Sequence, residues 1–323
     1  MAKRKAKALQ IFGEEILPGE SKELNFSFAK LHTNTPIDVP IIVERSLYDG
    51  PTILFTAGIH GDEVNGVEIV RQLVSKGINK PKIGTTICIP IVNVIGFLQK
   101  VRDFPDGRDL NRSFPGSKKG SLASQVAYKL MNEIVPFADY CLDFHTGGSS
   151  RFNAPHIRIE KNHAKLTELA NTFNAPFILH SKNLKSSFRN ACKKKGVPML
   201  LFEGGKSNSI DAVVSNTGVN GSKRILHHLG MLQNKFKVSS PSKPSITIAS
   251  SKWIRAQASG MFKSSVKVGQ FVKHQEVIGH ITDPYGKIHY YIKNPNDGYV
   301  FNVNEAPLVY QGDALFHVST EVV

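Results

Sequence analysis

Apolar positions along the chain change their period several times, and each change marks an element. Residues 22–30 and 38–46 alternate or run apolar and read as strands, the second punctuated by Pro36 and Pro40. Ile53 to Ala57 is a continuous apolar run ending in the Gly-flanked turn of PTILFTAGIHG, as a buried strand does. From Val64 to Lys76 the period lengthens, and Val67, Val70, Leu73 and Val74 fall on one side of a helix. Thr85 to Val92 returns to a β-branched strand, and the spacing predicts another helix over Ser121 to Val135. Tyr140 to Phe144 and Val197 to Phe202 are two more strands, each running towards a glycine pair. No period holds between Gly96 and Gly120, a stretch rich in Gly, Pro, Asp and Arg, which predicts a long loop of the kind that carries function. Strands alternating with helices, with polar residues just past the strand ends, indicate an α/β sheet flanked by helices, with its site along that edge.

The texture changes at VSSPSKPSIT, residues 238–247, a Ser/Pro/Lys linker. Beyond it, short apolar runs are separated by SG, VGQ, DPYG and PNDG turns, the pattern of a small all-β domain. The expected division is an α/β domain over residues 1–243 and a β domain over 244–323. No internal repeat or low-complexity tract interrupts either part.

Composition narrows the picture. Over 323 residues, 41% are hydrophobic and 21% charged, which excludes disorder, collagen and coiled coil as descriptions of the whole. The net charge of +15 raises nucleic acid, anionic membrane or anionic substrate as partners. Its layout argues otherwise, because +10 of it lies in residues 206–275 while residues 276–323 are net −4. Lys223, Arg224, Lys235, Lys237, Lys243 and Lys252 are spread through helix ends, linker and hairpins with little aromatic interleaving. A solvated face, or steering of an anionic substrate, fits them better than nucleic acid. Three cysteines exclude a disulfide scaffold and a site built of several thiolates, and suit a reducing compartment. Cys88 and Cys141 sit in apolar strands and read as core, whereas Cys192 in RNACKKKG is expected to be part-exposed. The N-terminus, MAKRKAKALQIFGEE, has no apolar stretch of signal-peptide length, and no run approaches the ~20 apolar residues of a spanning helix, so a cytoplasmic location without membrane contact is expected.

Three strand ends concentrate the unusual residues. His60 and Glu63, three apart, leave one strand and enter a helix; His145 follows LDF; Glu203 follows LLF. Two histidines and one carboxylate around an open position are a catalytic zinc arrangement, in which water is acidified, and a second carboxylate such as Glu203 is then the natural general base. The long loop adds Arg102 and Asp109-Leu-Asn-Arg112. Asn111 and Arg112 offer donors for a carboxylate, Arg102 could stabilise an oxyanion, and Asp109 could orient an imidazole. A substrate with a free carboxylate near an amide suits this set. Asp62 reads as a helix N-terminal acid, and Asp143 as a buried hydrogen-bonding group or a support for His145. The remaining histidines are expected to be mostly solvated, with His227-His228 at a helix end. Arg158, Lys182 and Arg189 are ordinary surface charges or the walls of an acyl pocket. Tyr285, Tyr290 and Tyr291 either pack the β domain or reach the substrate.

GIHGDEVNG, RDLNRSFPG, DFHTG and LLFEGG together resemble the succinylglutamate desuccinylase/aspartoacylase family, over roughly residues 40–205 and in the family's order. The resemblance implies a zinc carboxypeptidase-like fold, a mixed sheet flanked by helices. It implies one Zn²⁺ per chain on His60, Glu63 and His145, with Glu203 activating the water. It also implies that Arg102 polarises the scissile carbonyl, that Asn111 and Arg112 hold the amino acid carboxylate, and that Asp109 supports His60. The Asp-Phe-Pro-Asp-Gly-Arg insertion before Asp109 makes Arg108 an alternative to Arg102. Residues 251–318 resemble a biotinyl/lipoyl-like barrel-sandwich domain. Lys287, seven residues before Asn294, has the spacing of an attachment lysine without the usual Met-Lys-Met or Asp-Lys-Ala context. The expected activity is zinc-dependent hydrolysis of a small N-acyl amino acid of succinyl or acetyl type. A metallocarboxypeptidase and a non-catalytic basic binding protein are the alternatives, and a homo-oligomer is left open.

Overall fold

Local sequence chemistry accounts for most elements of the computed structural model, which describes residues 4–30, 32–241 and 243–323; Met1 to Lys3 of the basic N-terminus and Ser242 of the linker lie outside the described residues. A small hairpin, β1 (Leu9–Ile11) and β2 (Glu14–Ile16), precedes the antiparallel pair β3 (Ser21–Lys30) and β4 (Pro36–Arg45). β5 (Thr52–Ala57) and β6 (Thr85–Ile89) pair in parallel and are buried on both faces, as their uninterrupted apolar runs require. Between them α1 (Val64–Ser75) buries Ile69, Val70 and Leu73. α2 (Val94–Gln99) and a single 3-10 turn at Leu110–Arg112 interrupt the expected loop. Gly96 breaks the apolar period of α2, and the helix is started by Asn93, whose side chain accepts from the Gly96 N–H at 2.8 Å. The helix expected over Ser121 to Val135 is α3 (Leu122–Lys129) only; a π turn and a 3-10 turn containing Pro136, which has no N–H to continue the ladder, carry the chain onward.

β7 (Tyr140–Gly147) lies parallel to β5, and the chain then runs through β8 (Arg151–Ile159), α4 (Ala164–Phe173), β9 (Phe177–His180), α5 (Phe188–Lys194), β10 (Met199–Lys206) and α6 (Ala212–His228). Strand alternation divides the core. Leu54 and Ile87 point towards α3 and α5, whereas Ile53, Phe55 and Ala57 point towards α1, α4 and α6. Cys192 is fully buried with Cys141, not part-exposed, because α5 turns Phe188, Ala191 and Cys192 onto the sheet. Arg224 is not a solvated charge either: its guanidinium donates to the carbonyls of Phe173 and Asn174 at the end of α4.

After the linker every described element is a strand: β11 (Ile246–Arg255), β12 (Gly260–Ser264), β13 (Phe271–Val272), β14 (Val277–Thr282), β15 (His289–Lys293), β16 (Gly298–Asn304), β17 (Leu308–Val309) and β18 (Ala314–Val322). Four of these, in the order β15-β14-β12-β17, form a separate sheet. The others continue the main sheet, a mixed twelve-stranded array ordered β13-β16-β18-β11-β9-β8-β10-β7-β5-β6-β4-β3. β16 also pairs with β8, so β8, β9, β11, β18 and β16 close a ring across the linker. Ala154, Phe177, Leu179, Ile248 and Phe301, drawn from both sides of the linker, pack together there.

Candidate active site

β5 delivers His60 through a turn that only glycine permits at its tightest point: a Cβ on Gly61 would lie 2.0 Å from the Gly96 carbonyl carbon. Glu63 then occupies the N-cap position of α1, where the helix dipole favours an anion, yet its side chain makes no capping bond. It turns instead to two imidazoles. Glu63 Oε1 lies 2.8 Å from His60 Nδ1, and Oε2 lies 2.7 Å from His145 Nδ1 and accepts from the Thr146 N–H at 3.1 Å. Gly66 permits this reach, because a Cβ there would stand 2.5 Å from the Phe144 carbonyl oxygen and push α1 off β7.

The outer nitrogen of each imidazole meets an aspartate. His145 Nε2 is 2.7 Å from Asp143 Oδ2, two residues earlier on the same face of β7, and Asp143 Oδ1 accepts from Thr56 Oγ1 at 2.7 Å. His60 Nε2 is 3.1 Å from Asp109 Oδ1. Arg102 joins the cluster, with Nη1 3.2 Å from Glu63 Oε1 and Nη2 donating to Asp109 Oδ2 at 2.9 Å.

Burial alone lowers the basicity of both histidines, but the facing carboxylates overcome it and hold His60 above, and His145 well above, the ordinary imidazole value. Burial raises the carboxyls of Glu63 and Asp109, and the same histidines, with Arg102 at Asp109, outweigh it and hold both well below the usual range. Three carboxylates here face one guanidinium. That excess of negative charge favours protons on the two imidazoles, and one divalent cation would offset it in their place. His60, Glu63 and His145 are fully buried and offer ligand atoms within 4.8 Å of one another. With Asp109 and Asp143 fixing the outer nitrogens, the donor set fits a Zn²⁺ site with its supporting carboxylates.

A cleft of about 640 Å³ opens beside this cluster, and Asn111, Arg112 and Glu203 line it. Asn111 Oδ1 accepts from the Phe188 N–H at 2.8 Å, which fixes the side chain at the head of α5. Arg112 is exposed at the mouth, its Nη1 donating to the Asn111 carbonyl. Parallel register sets Glu203 beside His145 on the neighbouring strand. Glu203 Oε2 accepts from Asn153 Nδ2 at 2.8 Å, and Oε1 lies 3.4 Å from Arg158 Nε.

Arg102, not Arg108, enters the cleft; Arg108 is exposed and pairs with Asp106. Arg158, Lys182 and Arg189 are cleft residues, not ordinary surface charges. Arg189 is buried, its Nη2 donating to Ser181 and the Lys182 carbonyl while Nη1 has no partner. Burial, with Arg158 nearby, pushes it down to about 10. Tyr285, Tyr290 and Tyr291 do neither thing expected of them: they are exposed around β15 and away from the cleft. Lys287 stands in the turn before β15, its N–H donating to Asp283. Asn153, Trp253 and Asn302 went unnoticed in the sequence, although all three line the cleft. His156 and His317 are likewise buried rather than solvated. A polar residue inside an apolar strand was the available signal for Asn302.

Residues 49–229 match the family profile described as the succinylglutamate desuccinylase/aspartoacylase catalytic domain. The chain is 28% identical over 260 residues to N-alpha-acetyl-L-2,4-diaminobutyric acid deacetylase of Halomonas elongata, covering 76% of this chain and 74% of the relative. Among solved structures, it is similar to a succinylglutamate desuccinylase/aspartoacylase of Rhodobacter sphaeroides, with a TM-score of 0.81, 24% identity and coverage of 94% and 95% of the two chains. The product-bound ectoine utilization protein EutE of Ruegeria pomeroyi superposes with a TM-score of 0.82 at 22% identity, covering 93% and 95%. At these identities the likeness to the two structures concerns the α/β fold with its mixed sheet. No helix among the described residues is long and apolar enough to cross a membrane.

Proposed function

The chain belongs to the succinylglutamate desuccinylase/aspartoacylase family, and from its site we propose a zinc-dependent amidohydrolase that splits the amide of a small N-acyl amino acid. The observation that carries this reading is the buried His60–Glu63–His145 cluster with Glu203 beside it in one cleft. A bound Zn²⁺ would supply Lewis acidity for water and the acyl carbonyl. His60, Glu63 and His145 would hold it, and Asp109 and Asp143 keep each imidazole turned inward.

Asn111 and Arg112 receive the substrate α-carboxylate, and the 3-10 turn that carries both supports this pairing. Arg102 stands over the acyl oxygen as a fixed positive charge and stabilises the oxyanion as it forms. Glu203 takes a proton from the attacking water and hands it to the leaving amine. Binding at the carboxylate end sets the amide in line with these groups. Arg158, Lys182 and Arg189 favour an acyl group that itself carries a carboxylate, such as succinyl. Trp253 and Asn302 wall the cleft from the C-terminal segment, which favours a small acyl group over an extended peptide. In this reading the catalytic, zinc carboxypeptidase-like domain ends near residue 243, and the barrel-sandwich domain after it completes the wall.

Metal analysis of the purified protein, with N-acetyl amino acids, N-succinyl amino acids and dipeptides assayed side by side, tests the proposal. One zinc per chain with hydrolysis of an N-acyl amino acid is expected. Hydrolysis of dipeptides alone favours a carboxypeptidase, and a protein without metal or turnover overturns the reading.

A further inference from the structure

Glu203 leans on a chain of amides that begins beyond the linker. Asn153, on β8, donates from Nδ2 to Glu203 Oε2 at 2.8 Å and accepts at Oδ1 from Asn302 Nδ2 at 2.5 Å. The pairing of β16 with β8 sets Asn302 opposite Asn153, although 149 residues separate them in sequence. Both amides are almost fully buried. We propose that Asn302 is a positioning residue which fixes the carboxylate of Glu203 through Asn153; this rests on the reading of Glu203 as the general base.

A primary amide has a donor end and an acceptor end. Asn153 could offer either to Glu203, and its oxygen would repel the carboxylate while its NH₂ binds it. A donor at the far end of Asn153 reinforces the orientation that the carboxylate demands, because only with its NH₂ on Glu203 can Asn153 Oδ1 accept from Asn302. The side chain of Asn302 makes no other hydrogen bond: its Oδ1 is buried and without a partner. A buried amide kept only to stiffen a strand pair would more often use both ends. The other Glu203 oxygen faces Arg158, whose Nε lies 3.2 Å from His156 Nε2, so the carboxylate is held at each side.

Asn302→Leu removes the donor. Asn302→Asp keeps the shape but, ionised, can only accept, so Asn153 must turn its oxygen to Glu203. Misplacing a reacting group by about 1 Å costs on the order of 100-fold, so both variants are expected to lose roughly 10- to 100-fold in kcat with little change in KM. Asn302→Asp is expected to be no better than Asn302→Leu despite its shape. In a Glu203→Gln background, Asn302→Leu is expected to add nothing. Crystal structures of the variants are expected to show the Glu203–Asn153 contact opened. Thermal melts establish folding, and Asn302→Ser replaces any variant that does not fold. Full kcat in the folded variants, an undiminished loss in the Glu203→Gln background, or an unmoved Glu203 carboxylate overturns the proposal. If the wild type hydrolyses no N-acyl amino acid, the functional reading falls, and the crystal structures alone decide the positioning role.

Discussion

Two pairs of buried histidines lie on either side of Glu203 and behave in opposite ways. His60 and His145 share Glu63 and are backed by Asp109 and Asp143, and this ring of carboxylates holds them above the ordinary imidazole value. His156 and His317 meet no carboxylate; burial, then Arg158, pushes each down to about 3. His156 donates from Nδ1 to the Ala154 carbonyl and presents Nε2 as an acceptor to Arg158. His317 stacks on Trp253 at 4.3 Å between centroids and packs against Phe301 at the same distance. Burial is common to all four, so the neighbours decide the charge. In the proposed site the first pair would exchange its protons for a cation. The other is arranged to stay neutral inside the ring that joins the two parts of the chain.

The largest effect should come from the first pair. His145→Ala is expected to abolish stoichiometric metal and lower kcat at least about 10³-fold, since a metal supplies several kcal/mol of charge stabilisation. Glu203→Gln comes next. It is expected to keep the metal and lose roughly 10²- to 10⁴-fold in kcat, the range of a general base. Near-wild-type turnover in metal-loaded Glu203→Gln would move the base elsewhere in the cleft.

The same contrast governs what could be read from the sequence. His60, Glu63, His145 and Glu203 all follow the apolar runs Ile53–Ala57, Tyr140–Phe144 and Val197–Phe202, and parallel pairing of β5, β7 and β10 brings these positions together, so their adjacency was legible from the spacing. Asp109 and Arg102 were legible because a loop that long needs a purpose. The junction was not. Asn153 and Asn302 meet only through the register of two strands with a linker between them, and register is set by pairing geometry that no local pattern carries. The linker composition marks a real change of texture, yet it hides that β11 pairs with β9 and β16 with β8. Arg189 stayed open between surface charge and pocket wall for a related reason: a single arginine before a run of lysines looks solvated until α5 is laid against the sheet.

Arg189 extends the comparison to substrate. Its guanidinium lines the cleft and donates to neutral groups, Ser181 and the Lys182 carbonyl, so an anionic acyl group would pair with its charge, whereas an acetyl group would not. Hydrogen bonds to charged groups are worth about 1.5–3 kcal/mol. Arg189→Met is therefore expected to raise KM for an N-succinyl substrate roughly 10- to 100-fold and leave an N-acetyl substrate little changed. Equal losses on both would make Arg189 a structural element of the Ser181–Lys182 wall.

The smallest effect separates the two histidine pairs directly. Unfolded histidine titrates near about 6.5. His60 and His145 are raised above it, so in metal-free protein their contribution to stability is present below about pH 6.5 and is lost as pH rises through their folded values. His156 and His317 are lowered to about 3, so their contribution is present above about pH 6.5 and is lost as pH falls towards 3. Metal-free protein should therefore melt highest near pH 6.5 and lose stability on both sides. Zinc takes the place of the imidazole protons, so loading should flatten the alkaline side and steepen the acid side, where protons compete with the metal for the imidazoles. His317→Phe keeps the stack on Trp253 and removes one low titration, and should make the acid side shallower. Calorimetric melts from pH 4 to 9, with chelator and with zinc, read all of this. A chelated protein that grows steadily more stable from pH 6.5 to 9 would show that the carboxylates do not hold its first pair above the ordinary imidazole value, and the contrast between the two pairs would fail.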